Sequence, residues 1–507
     1  MEEKHQNSQR QRPGKSPRKA FREHLFHSLP NYAGPYSVGI MEIEVPVREP
    51  RTFSRIKRSH THALRMDTVL FSIYYLPIVP HLPVTAYIAA TTMFTKLPAF
   101  RNAKLAGDRT GDCAGAASCS SSGAHSQDTL TGSGDKPKFQ VIFFNHGLRG
   151  SRTCYSTVCG ELASNGFVVV AVEHRDGSGA RSCVNIPPSG KLADGLKIDN
   201  TDPKRSYKVD YIFPLDNALD TSPHNARGVD TELRHAQIEM RMSEIGEAYY
   251  VLELLNNGQG DLVYKNNLRK KGNAGSSSKG LEGIDWSDWD DRLLLRNVTT
   301  MGHSFGGATT VEIVRQNDRF PYIGQGILLD AWGQATPKPL LAIDSEAFMH
   351  WPENFKRICD IGEEARNGGA LCWMLTIKGS THLSQTDFAI LYPHWMSFFM
   401  KTIVNPKRAS GANLLPPDFT VRNSCVDEGI LQTKVLIADE LPREHQPDGK
   451  WMASRLRIPN ELRIRTVNWV RQKPKESVTT DIKGRPLIGL MNFPLGSEVW
   501  MHLSPDE

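Results

Sequence analysis

A serine in a glycine-flanked segment is the residue of this chain whose surroundings most clearly indicate chemistry. Residues 302–306 have the sequence GHSFG, which fits the pattern G-x-S-x-G. In a nucleophile elbow, this pattern sets the serine on a tight turn between a strand and a helix. Glycine is needed on both sides because neighbouring backbone passes close by and a Cβ atom would collide with it. The pattern therefore predicts that Ser304 is a nucleophile.

The hydroxyl of Ser304 is protonated at neutral pH, so it needs a general base, and the base needs an orienting carboxylate. In enzymes built on such an elbow, the chain order is serine, then acid, then histidine. The histidines downstream of the serine are His350, His382, His394, His445 and His502. His382 follows an apolar run over 372–377 through the turn 378–381, which predicts a loop at the carboxyl end of a strand. Parallel sheets have their sites at that end, so we predict that His382 is the base.

Two aspartates are candidates for the acid. Asp330 ends the first strand-like run after the elbow, and Asp344 ends the second. The usual topology takes the acid from the second run, but the residue pattern alone favours neither aspartate. The aspartate that is not the acid is expected to cap a helix or a turn, a common role for this residue type.

The negative charge that develops during attack on a carbonyl group needs two backbone N–H donors. One donor is expected from Phe305, the residue after the nucleophile. The other is expected from the loop after an earlier strand, where residues 145–148 (NHGL) follow the apolar run 140–144. The glycine lets the backbone turn inward. We therefore predict the amide of Leu148 as the second donor.

The segments that must position these residues alternate between strand and helix patterns. Short apolar or β-branched runs predict strands, and amphipathic stretches predict helices. The predicted strands are 140–144, 167–172, 297–301, 323–329, 340–343 and 372–377, and the predicted helices are 157–165, 231–256, 308–315 and 384–403. This alternation predicts an α/β fold with a mostly parallel, doubly wound central sheet and helices on both faces. The stretch 31–103 predicts two or three antiparallel strands at an edge of the sheet.

Composition and charge exclude several classes of protein. The formal net charge of +6 is small for 507 residues and gives no reason to expect a nucleic-acid partner, which usually needs a clustered basic face. No run of about 18 or more apolar residues occurs, so no transmembrane segment is predicted. The first residues carry no apolar signal core, and the eight cysteines form neither a C-x-x-C pair nor a zinc pattern. These features predict a cytoplasmic protein with reduced thiols, no bound metal and no cofactor.

The composition also divides the chain. Residues 1–30 form a basic, polar tail that is predicted to be disordered, and one α/β domain is predicted over 31–403. Within that domain, the small and polar residues of 104–136 and 258–283 predict two flexible insertions. Residues 404–507 are rich in proline and charge, and they are predicted to form a C-terminal extension of unassigned role.

Seven stretches in chain order carry the motifs of one known family. They are GPYSVG (34–39), FNHGLRGSRTCYS (144–156), LASNGFVVVAVEHRDGSG (162–179), MGHSFGGAT (301–309), GILLDAW (326–332), LLAIDSEAF (340–348) and IKGSTHLSQTDF (377–388). With these motifs the chain resembles the platelet-activating-factor acetylhydrolases of the plasma and type II group, which are serine-dependent phospholipases A2. The combination of HRD, GHSFGG and LDAW is far more specific than the pentapeptide alone.

The resemblance implies an α/β-hydrolase fold and residue roles within it. It implies a triad of Ser304, Asp330 and His382, because the family's aspartate lies in its LDAW segment, and it leaves Asp344 as the alternative acid. By the same correspondence, the oxyanion donors are the amides of residues 148 and 305.

The resemblance also implies a substrate. It implies Ca²⁺-independent hydrolysis of short or oxidised sn-2 acyl chains of phospholipids, with the lipid presented at a membrane or lipoprotein surface. Residues 333–335 (GQA) are more polar than the hydrophobic stretch that the family has after its LDAW segment. The acyl pocket is therefore expected to differ from that of the family.

Three other functions fit parts of the sequence. A general carboxylesterase or lipase of the α/β-hydrolase superfamily would use the same triad on a different substrate. A non-catalytic scaffold would keep the hydrolase fold without turnover. A protein kinase is suggested by residues 174–176 (HRD), but a kinase catalytic loop needs asparagine five residues after the aspartate, and that residue is Arg181.

Overall fold

The structure is a computed structural model of the chain. The described residues are 36–58, 61–76, 138–188, 190–195, 205–214, 227–270, 281–331, 340–349, 351–370, 372–377, 379–400 and 499–503, together with residues 29, 32, 220, 273, 274, 338 and 402. Several predicted segments lie outside them: nearly all of the tail 1–30, the insertion 104–136, the polar stretch 333–335 and most of the extension 404–507.

A nine-stranded sheet forms the centre of the fold. The strands in chain order are β1 (Gly39–Thr52), β2 (Lys57–Arg58), β3 (Thr61–His62), β4 (Arg65–Tyr75), β5 (Phe139–Asn145), β6 (Val168–Val172), β7 (Arg181–Asn185), β8 (Ser206–Asp210), β9 (Leu293–His303), β10 (Ile323–Leu329), β11 (Leu340–Ser345), β12 (Cys372–Ile377) and β13 (Val499–Leu503). The order in the central sheet is β1-β4-β6-β5-β9-β10-β11-β12-β13. The six strands from β6 to β12 in this order run parallel. The edge strands β1 and β13, and β4 next to β1, pair antiparallel with their neighbours, and β2-β3 and β7-β8 form separate hairpins.

Helices cover both faces of this sheet. They are α1 (Ser156–Ser164), α2 (Thr231–Asn256), α3 (Gly260–Asn266), α4 (Phe305–Arg315), α5 (Glu346–Met349), α6 (Pro352–Asn367), α7 (Asp387–Leu391) and α8 (Pro393–Phe399), with short 3₁₀ turns at Trp286–Trp289 and His382–Gln385. No helix among the described residues is both long and apolar enough to cross a bilayer.

Strand β6 illustrates why both faces must be covered. Val168, Val170 and Val172 belong to the cluster that contains the apolar side of α2, whereas Val169 and Ala171 belong to the cluster that contains α1. Successive side chains of a strand point to opposite faces, so a strand without polar positions needs packing on both sides. The result is the predicted doubly wound α/β-hydrolase arrangement, which the parallel strand order confirms.

Some predicted boundaries hold and others do not. The predicted helix 231–256 is confirmed over its whole length, and the N-terminal antiparallel strands at one edge of the sheet are confirmed as β1 and β4. The single closing helix over 384–403 is wrong, because a 3₁₀ turn, α7 and α8 replace it and Pro393 starts the last of them. Proline lacks the N–H that a helix interior requires, so the chain must begin a new helix there.

Two segments are more structured than their composition indicated. The predicted insertion 258–283 begins with α3, whose Val263 joins the core under β1. Part of the predicted extension 404–507 returns to the sheet as β13, which pairs with β12. Pairing covers the backbone groups of an edge strand that would otherwise be exposed.

Candidate active site

Ser304 lies on a sharp turn between β9 and α4, as the motif predicted. Its backbone has φ 58° and ψ −121°, a conformation that non-glycine residues rarely adopt. Such strain costs on the order of 1–3 kcal/mol and persists only where the surrounding structure enforces it. Here the amide of Ser304 donates to the carbonyl oxygen of Leu329 at 2.8 Å, which ties the turn to the neighbouring strand.

The glycines of the motif leave no room for a side chain. A Cβ atom at Gly302 would lie 2.1 Å from the carbonyl oxygen of Gly306. A Cβ atom at Gly306 would lie 2.0 Å from the carbonyl oxygen of Asn145, and one at Gly307 would lie 2.4 Å from Ala331 Cβ. The elbow is therefore pressed against the end of β5 on one side and the loop after β10 on the other.

The predicted base meets one of the two candidate acids. His382 Nδ1 lies 2.9 Å from Oδ2 of Asp330, which is fully buried, whereas about a third of the His382 side chain is exposed (35%). The amide and the hydroxyl of Ser345 both donate to the Asp330 carboxylate, the hydroxyl at 2.7 Å. Because Nδ1 donates its hydrogen to this carboxylate, Nε2 of a neutral His382 is free to accept a proton.

Within the described part of the chain, no hydrogen bond joins the hydroxyl of Ser304 to the ring of His382. Catalytic hydrogen bonds are often long before substrate binds and tighten in the substrate complex. The contact between His382 and Asp330 is therefore the part of the predicted triad that is already formed.

Asp344 lies on the next strand and has a different environment. It pairs with Thr376 in the sheet and is 1% exposed, and neither of its carboxylate oxygens has a hydrogen-bond partner among the described residues. Burial, and then the nearby charge of Asp330, hold the pKa of Asp344 well above its usual value. The structure brings Asp330, and not Asp344, to His382.

The two predicted oxyanion donors flank the elbow. Phe305 is the first residue of α4, so its amide has no acceptor within the helix. Leu148 follows Gly147, where an added Cβ atom would lie 3.0 Å from Ser304 Cβ. Neither amide donates to a backbone acceptor in the described part of the chain. Both are thus available to an oxygen atom that approaches the serine.

Tyr155 and His303 complete a hydrogen-bonded connection that the sequence did not reveal. The hydroxyl of Tyr155 lies 2.8 Å from His303 Nδ1 and accepts from the amide of Gly147 at 3.3 Å. His303 Nε2 lies 3.0 Å from the carbonyl oxygen of His382. Burial and the neighbouring charge of His382 hold the pKa of His303 well below its usual value, so the ring is neutral. The only signal in the sequence was the position of His303 inside the motif.

Asp387 joins the loop of the predicted base to the helix after the predicted oxyanion loop. Its carboxylate accepts from the amides of Ser156 and Thr157, at 2.7 and 2.9 Å, and from the Ser156 hydroxyl. The cap residue of α1, Tyr155, makes no side-chain cap bond, so Asp387 takes over this role from a distant part of the chain.

The HRD segment lies below the site and is fully buried. Asp176 pairs with Arg241 Nε at 2.7 Å, Arg175 pairs with Glu44 at 2.7 Å, and His174 Nδ1 lies 2.7 Å from Glu244. The two pairs that involve arginine compensate their buried charges. Burial lowers the pKa of His174 and raises the pKa of Glu244, so these two groups meet in their neutral forms. The segment is a structural support at the end of β6, in agreement with the rejection of a kinase loop.

The titratable side chains of this site are engaged in hydrogen bonds with one another and with the backbone. The side chains of His303, Asp330 and His382 bring donor atoms within 4.8 Å of one another, which is close enough for a metal ion. However, both ring nitrogens of His303 are already hydrogen-bonded, and His382 Nδ1 is bound to Asp330. What remains is a strained serine, an oriented imidazole and two backbone amides, which together suit attack on an ester carbonyl.

Known proteins are similar to about half of this chain. A chicken (Gallus gallus) platelet-activating factor acetylhydrolase is 30% identical over 275 residues, which are 52% of this chain and 56% of that protein. A dog (Canis lupus familiaris) platelet-activating factor acetylhydrolase is 30% identical over 261 residues, which are 50% of this chain and 49% of that protein. The chain thus spans only about half the length of these curated relatives.

A solved structure of a ferulic acid esterase from Streptomyces cinnamoneus covers 78% of this chain and 92% of its own, at 15% identity and a TM-score of 0.43. At that score the likeness adds nothing to the strand order already described. The family described as platelet-activating factor acetylhydrolase, isoform II, matches residues 23–413, a span that includes every predicted site residue. The chain therefore belongs to the platelet-activating factor acetylhydrolase, isoform II, family.

Proposed function

We propose that this protein is a serine esterase that hydrolyses the sn-2 acyl ester of phospholipids, without Ca²⁺, through an acyl-enzyme. Short or oxidised acyl chains are the proposed substrates, as in 1-alkyl-2-acetylglycerophosphocholine. The observation that carries the proposal is the 2.9 Å contact of His382 with the buried Asp330, next to the strained elbow of Ser304. Family membership supports the substrate class.

In the proposed mechanism, Ser304 Oγ attacks the ester carbonyl while His382 Nε2 takes the hydroxyl proton. Asp330 keeps the imidazole in the required tautomer and stabilises its positive charge. The amides of Leu148 and Phe305 bind the oxyanion of the tetrahedral intermediate. Loss of one such donor typically costs about 3–4 kcal/mol in the barrier, so two amides can provide the stabilisation that a metal ion provides elsewhere.

The intermediate collapses when His382 returns the proton to the leaving oxygen, which releases the lysophospholipid. Water then attacks the acyl-Ser304 carbonyl, and His382 takes its proton. Expulsion of Ser304 Oγ, which regains that proton, releases the carboxylic acid. The enzyme thereby returns to its starting state with all protons accounted for.

A panel of esters separates this proposal from its alternatives. We expect turnover of an acetyl-phospholipid, slower turnover of a long-chain phospholipid, and labelling by a fluorophosphonate probe that Ser304→Ala abolishes. Turnover of p-nitrophenyl esters alone would identify a general carboxylesterase or lipase. Absence of both turnover and labelling in the unmodified protein would identify a scaffold.

The substrate is proposed to be taken from a phospholipid surface. Four neighbouring apolar side chains at α8 are exposed: Trp395 (59%), Phe398 (46%), Phe399 (41%) and Met400 (37%). The rings of Trp395 and Phe399 stack at 4.9 Å, and aromatic side chains of this kind favour the bilayer interface. Thr402, just after α8, lies 2.9 Å from Thr381 between their hydroxyl oxygens. The patch therefore borders the loop that carries His382.

Vesicle binding tests this surface. Trp395→Ala combined with Phe399→Ser is expected to reduce co-sedimentation with phosphatidylcholine vesicles, and to reduce turnover of vesicle-borne acetyl-phospholipid. Turnover of a dispersed p-nitrophenyl ester is expected to stay unchanged, because the substituted residues lie outside the proposed triad. Equal losses on both substrates would contradict a role in surface contact.

A cytoplasmic location also remains a proposal. Among the described residues, the five cysteines Cys154, Cys159, Cys183, Cys359 and Cys372 are all free thiols. Free thiols suit a reducing compartment. Fractionation of cells that express the protein tests this location, and recovery in a secreted fraction would contradict it.

A further inference from the structure

The peptide group between Gly147 and Leu148 is held from its carbonyl edge. The Gly147 carbonyl oxygen lies 2.9 Å from His146 Nδ1 and accepts from the amide of Gly150 at 3.2 Å. No cis peptide bond occurs in the described part of the chain, and in a planar trans peptide the C=O and N–H bonds point in opposite directions. Fixing the carbonyl of Gly147 therefore fixes the direction of the Leu148 N–H bond.

The hydrogen bonds of His146 determine which ring nitrogen carries the hydrogen. A carbonyl oxygen can only accept, so the contact with Gly147 requires a hydrogen on Nδ1. The amide of His174 donates to His146 Nε2 at 3.0 Å, so that nitrogen must carry none. Both bonds exist together only in the neutral Nδ1–H tautomer. Burial, and then the charge of Arg241, hold the pKa of His146 below its usual value, which agrees with a neutral ring.

The backbone on either side of this peptide is also anchored. Arg241 Nη1 donates to the carbonyl oxygen of His146 at 2.8 Å, and the amide of Arg149 donates to the carbonyl oxygen of Ser178 at 2.6 Å. Arg241 is itself paired with Asp176 of the HRD segment. The loop next to Ser304 thus has little freedom, and the remaining amide, that of Leu148, has no backbone acceptor in the described part of the chain.

We propose that His146 is a positioning residue that orients the Leu148 amide as an oxyanion donor, by donating from Nδ1 to the Gly147 carbonyl while Nε2 accepts from the His174 amide. This inference rests on the proposed function. His146 of the NHGL segment would then do more than form a turn. It also links the HRD segment to the site, because the backbone amide of His174 sets the tautomer of His146.

Two substitutions of similar size separate the two ring nitrogens. An asparagine amide reaches about as far as Nδ1, and a glutamine amide reaches about as far as Nε2. His146→Asn can therefore still donate to the Gly147 carbonyl, whereas His146→Gln keeps only the acceptor for His174. We expect kcat per active serine to fall about 100-fold or more in His146→Gln, as for loss of an oxyanion donor, and by less than about 10-fold in His146→Asn.

KM is expected to stay within about 2-fold in both variants, because the donor acts on the transition state rather than on bound substrate. Active serines are counted by the end point of fluorophosphonate labelling, so a loss of folded protein does not affect kcat. Equal losses of kcat in the two variants, or a rise of KM without loss of kcat, would overturn the inference.

A measurement on the unmodified protein covers the case in which the variants do not fold. Nitrogen-15 labelling of histidine, followed by NMR of the ring nitrogens, reports the tautomer of each neutral ring. An Nδ1–H signal for His146, assigned by its through-space contacts in the unmodified protein, is expected. An Nε2–H tautomer would overturn the inference.

Failure of the inference differs from failure of the proposed function. If Ser304→Ala abolishes phospholipid turnover while the two His146 variants behave alike, only the inference fails. If p-nitrophenyl acetate is the only ester turned over, the phospholipid proposal fails and the comparison of the two variants is made on that ester. If neither ester is turned over, there is no oxyanion to stabilise, and both fail.

Discussion

His303 Nε2 lies 3.0 Å from the backbone carbonyl oxygen of His382, so the residue before the proposed nucleophile holds the backbone of the proposed base. Since a carbonyl oxygen only accepts, Nε2 carries the hydrogen, and Nδ1 must accept from the hydroxyl of Tyr155. The same hydroxyl oxygen accepts from the amide of Gly147. One continuous set of hydrogen bonds therefore joins the proposed oxyanion loop to the loop of the base.

Tyr155→Phe tests this connection. The substitution keeps the ring, which packs against Phe144 with ring centroids 4.7 Å apart, and removes only the hydroxyl. It leaves the amide of Gly147 and Nδ1 of His303 without their partner in a buried place, which costs about 1–3 kcal/mol in the free energy of unfolding. We also expect kcat to fall about 10- to 100-fold, because the two loops lose their common anchor. Urea denaturation and ester turnover measure the two effects.

The matched control for this substitution is Tyr36→Phe, since Tyr36 is half exposed (50%). Its free energy of unfolding is expected to change by less than about 0.5 kcal/mol. If the two tyrosine variants have the same stability and the same kcat, the hydroxyl of Tyr155 does not hold the site together.

The local part of the site could be predicted from the sequence, and the long-range part could not. The elbow is local, because the steric need for glycine at 302 and 306 is written into adjacent residues. The proposed base was predictable because the order of elements puts His382 at a strand end. The bonds of Tyr155 and Asp387 join residues that are 148 and 231 positions apart, and no spacing rule predicts such pairs.

A long-range hydrogen-bonding partner explains why the sequence pattern could not decide between the two candidate acids. Asp330 and Asp344 both end strands that neighbour each other, so the sequence gives them equivalent places. What distinguishes them is Ser345, which donates to Asp330 from both its amide and its hydroxyl.

The pairing of β13 with β12 is another long-range feature. It joins segments more than 100 residues apart, and composition alone did not predict it.

Substitution of each aspartate by asparagine tests the proposed acid. Asp330→Asn is expected to lower kcat about 10³- to 10⁴-fold, because an amide can donate to His382 Nδ1 and thereby favour the wrong tautomer. Asp344→Asn is expected to keep kcat within about 10-fold, since Asp344 makes no hydrogen bond among the described residues. Turnover of the acetyl-phospholipid by the two variants, normalised to labelled Ser304, makes the comparison. A larger loss in Asp344→Asn would move the role of acid to the next strand.

Gly306→Ala tests whether the elbow is as tightly packed as its geometry indicates. The new Cβ atom would lie 2.0 Å from the carbonyl oxygen of Asn145, so one of the two backbone segments must move. A displacement of about 1 Å at a reacting group can cost about 100-fold in rate, and we expect fluorophosphonate labelling to slow by at least that factor. The rate is measured with the probe in excess over the protein.

Gly246→Ala provides the control. Gly246 lies within α2, and an added Cβ atom would meet nothing within 4 Å. Alanine loses less conformational freedom than glycine on helix formation, so this variant is expected to gain about 0.5–1 kcal/mol in the free energy of unfolding and to label at the normal rate. Normal labelling of Gly306→Ala would mean that the elbow adapts to a side chain.

The carboxyl group of Asp344 makes stability depend on pH in a direction that can be tested. Because its pKa in the folded protein is raised by burial and by Asp330, the folded state keeps a proton that the unfolded chain releases above about pH 3.9. The contribution to stability is fully present below that pH and is lost as the pH rises towards the pKa of the folded state.

Asparagine does not titrate, so Asp344→Asn removes this loss. We expect the difference in free energy of unfolding, variant minus unmodified protein, to grow by up to about 1.4 kcal/mol per pH unit above pH 3.9. Urea denaturation of both proteins at several pH values from 4 to 8 measures this difference, in which titrating groups that do not interact with Asp344 cancel. A difference that stays constant with pH would show that Asp344 ionises in the folded protein as easily as in the unfolded chain, and that its burial between the strands is compensated.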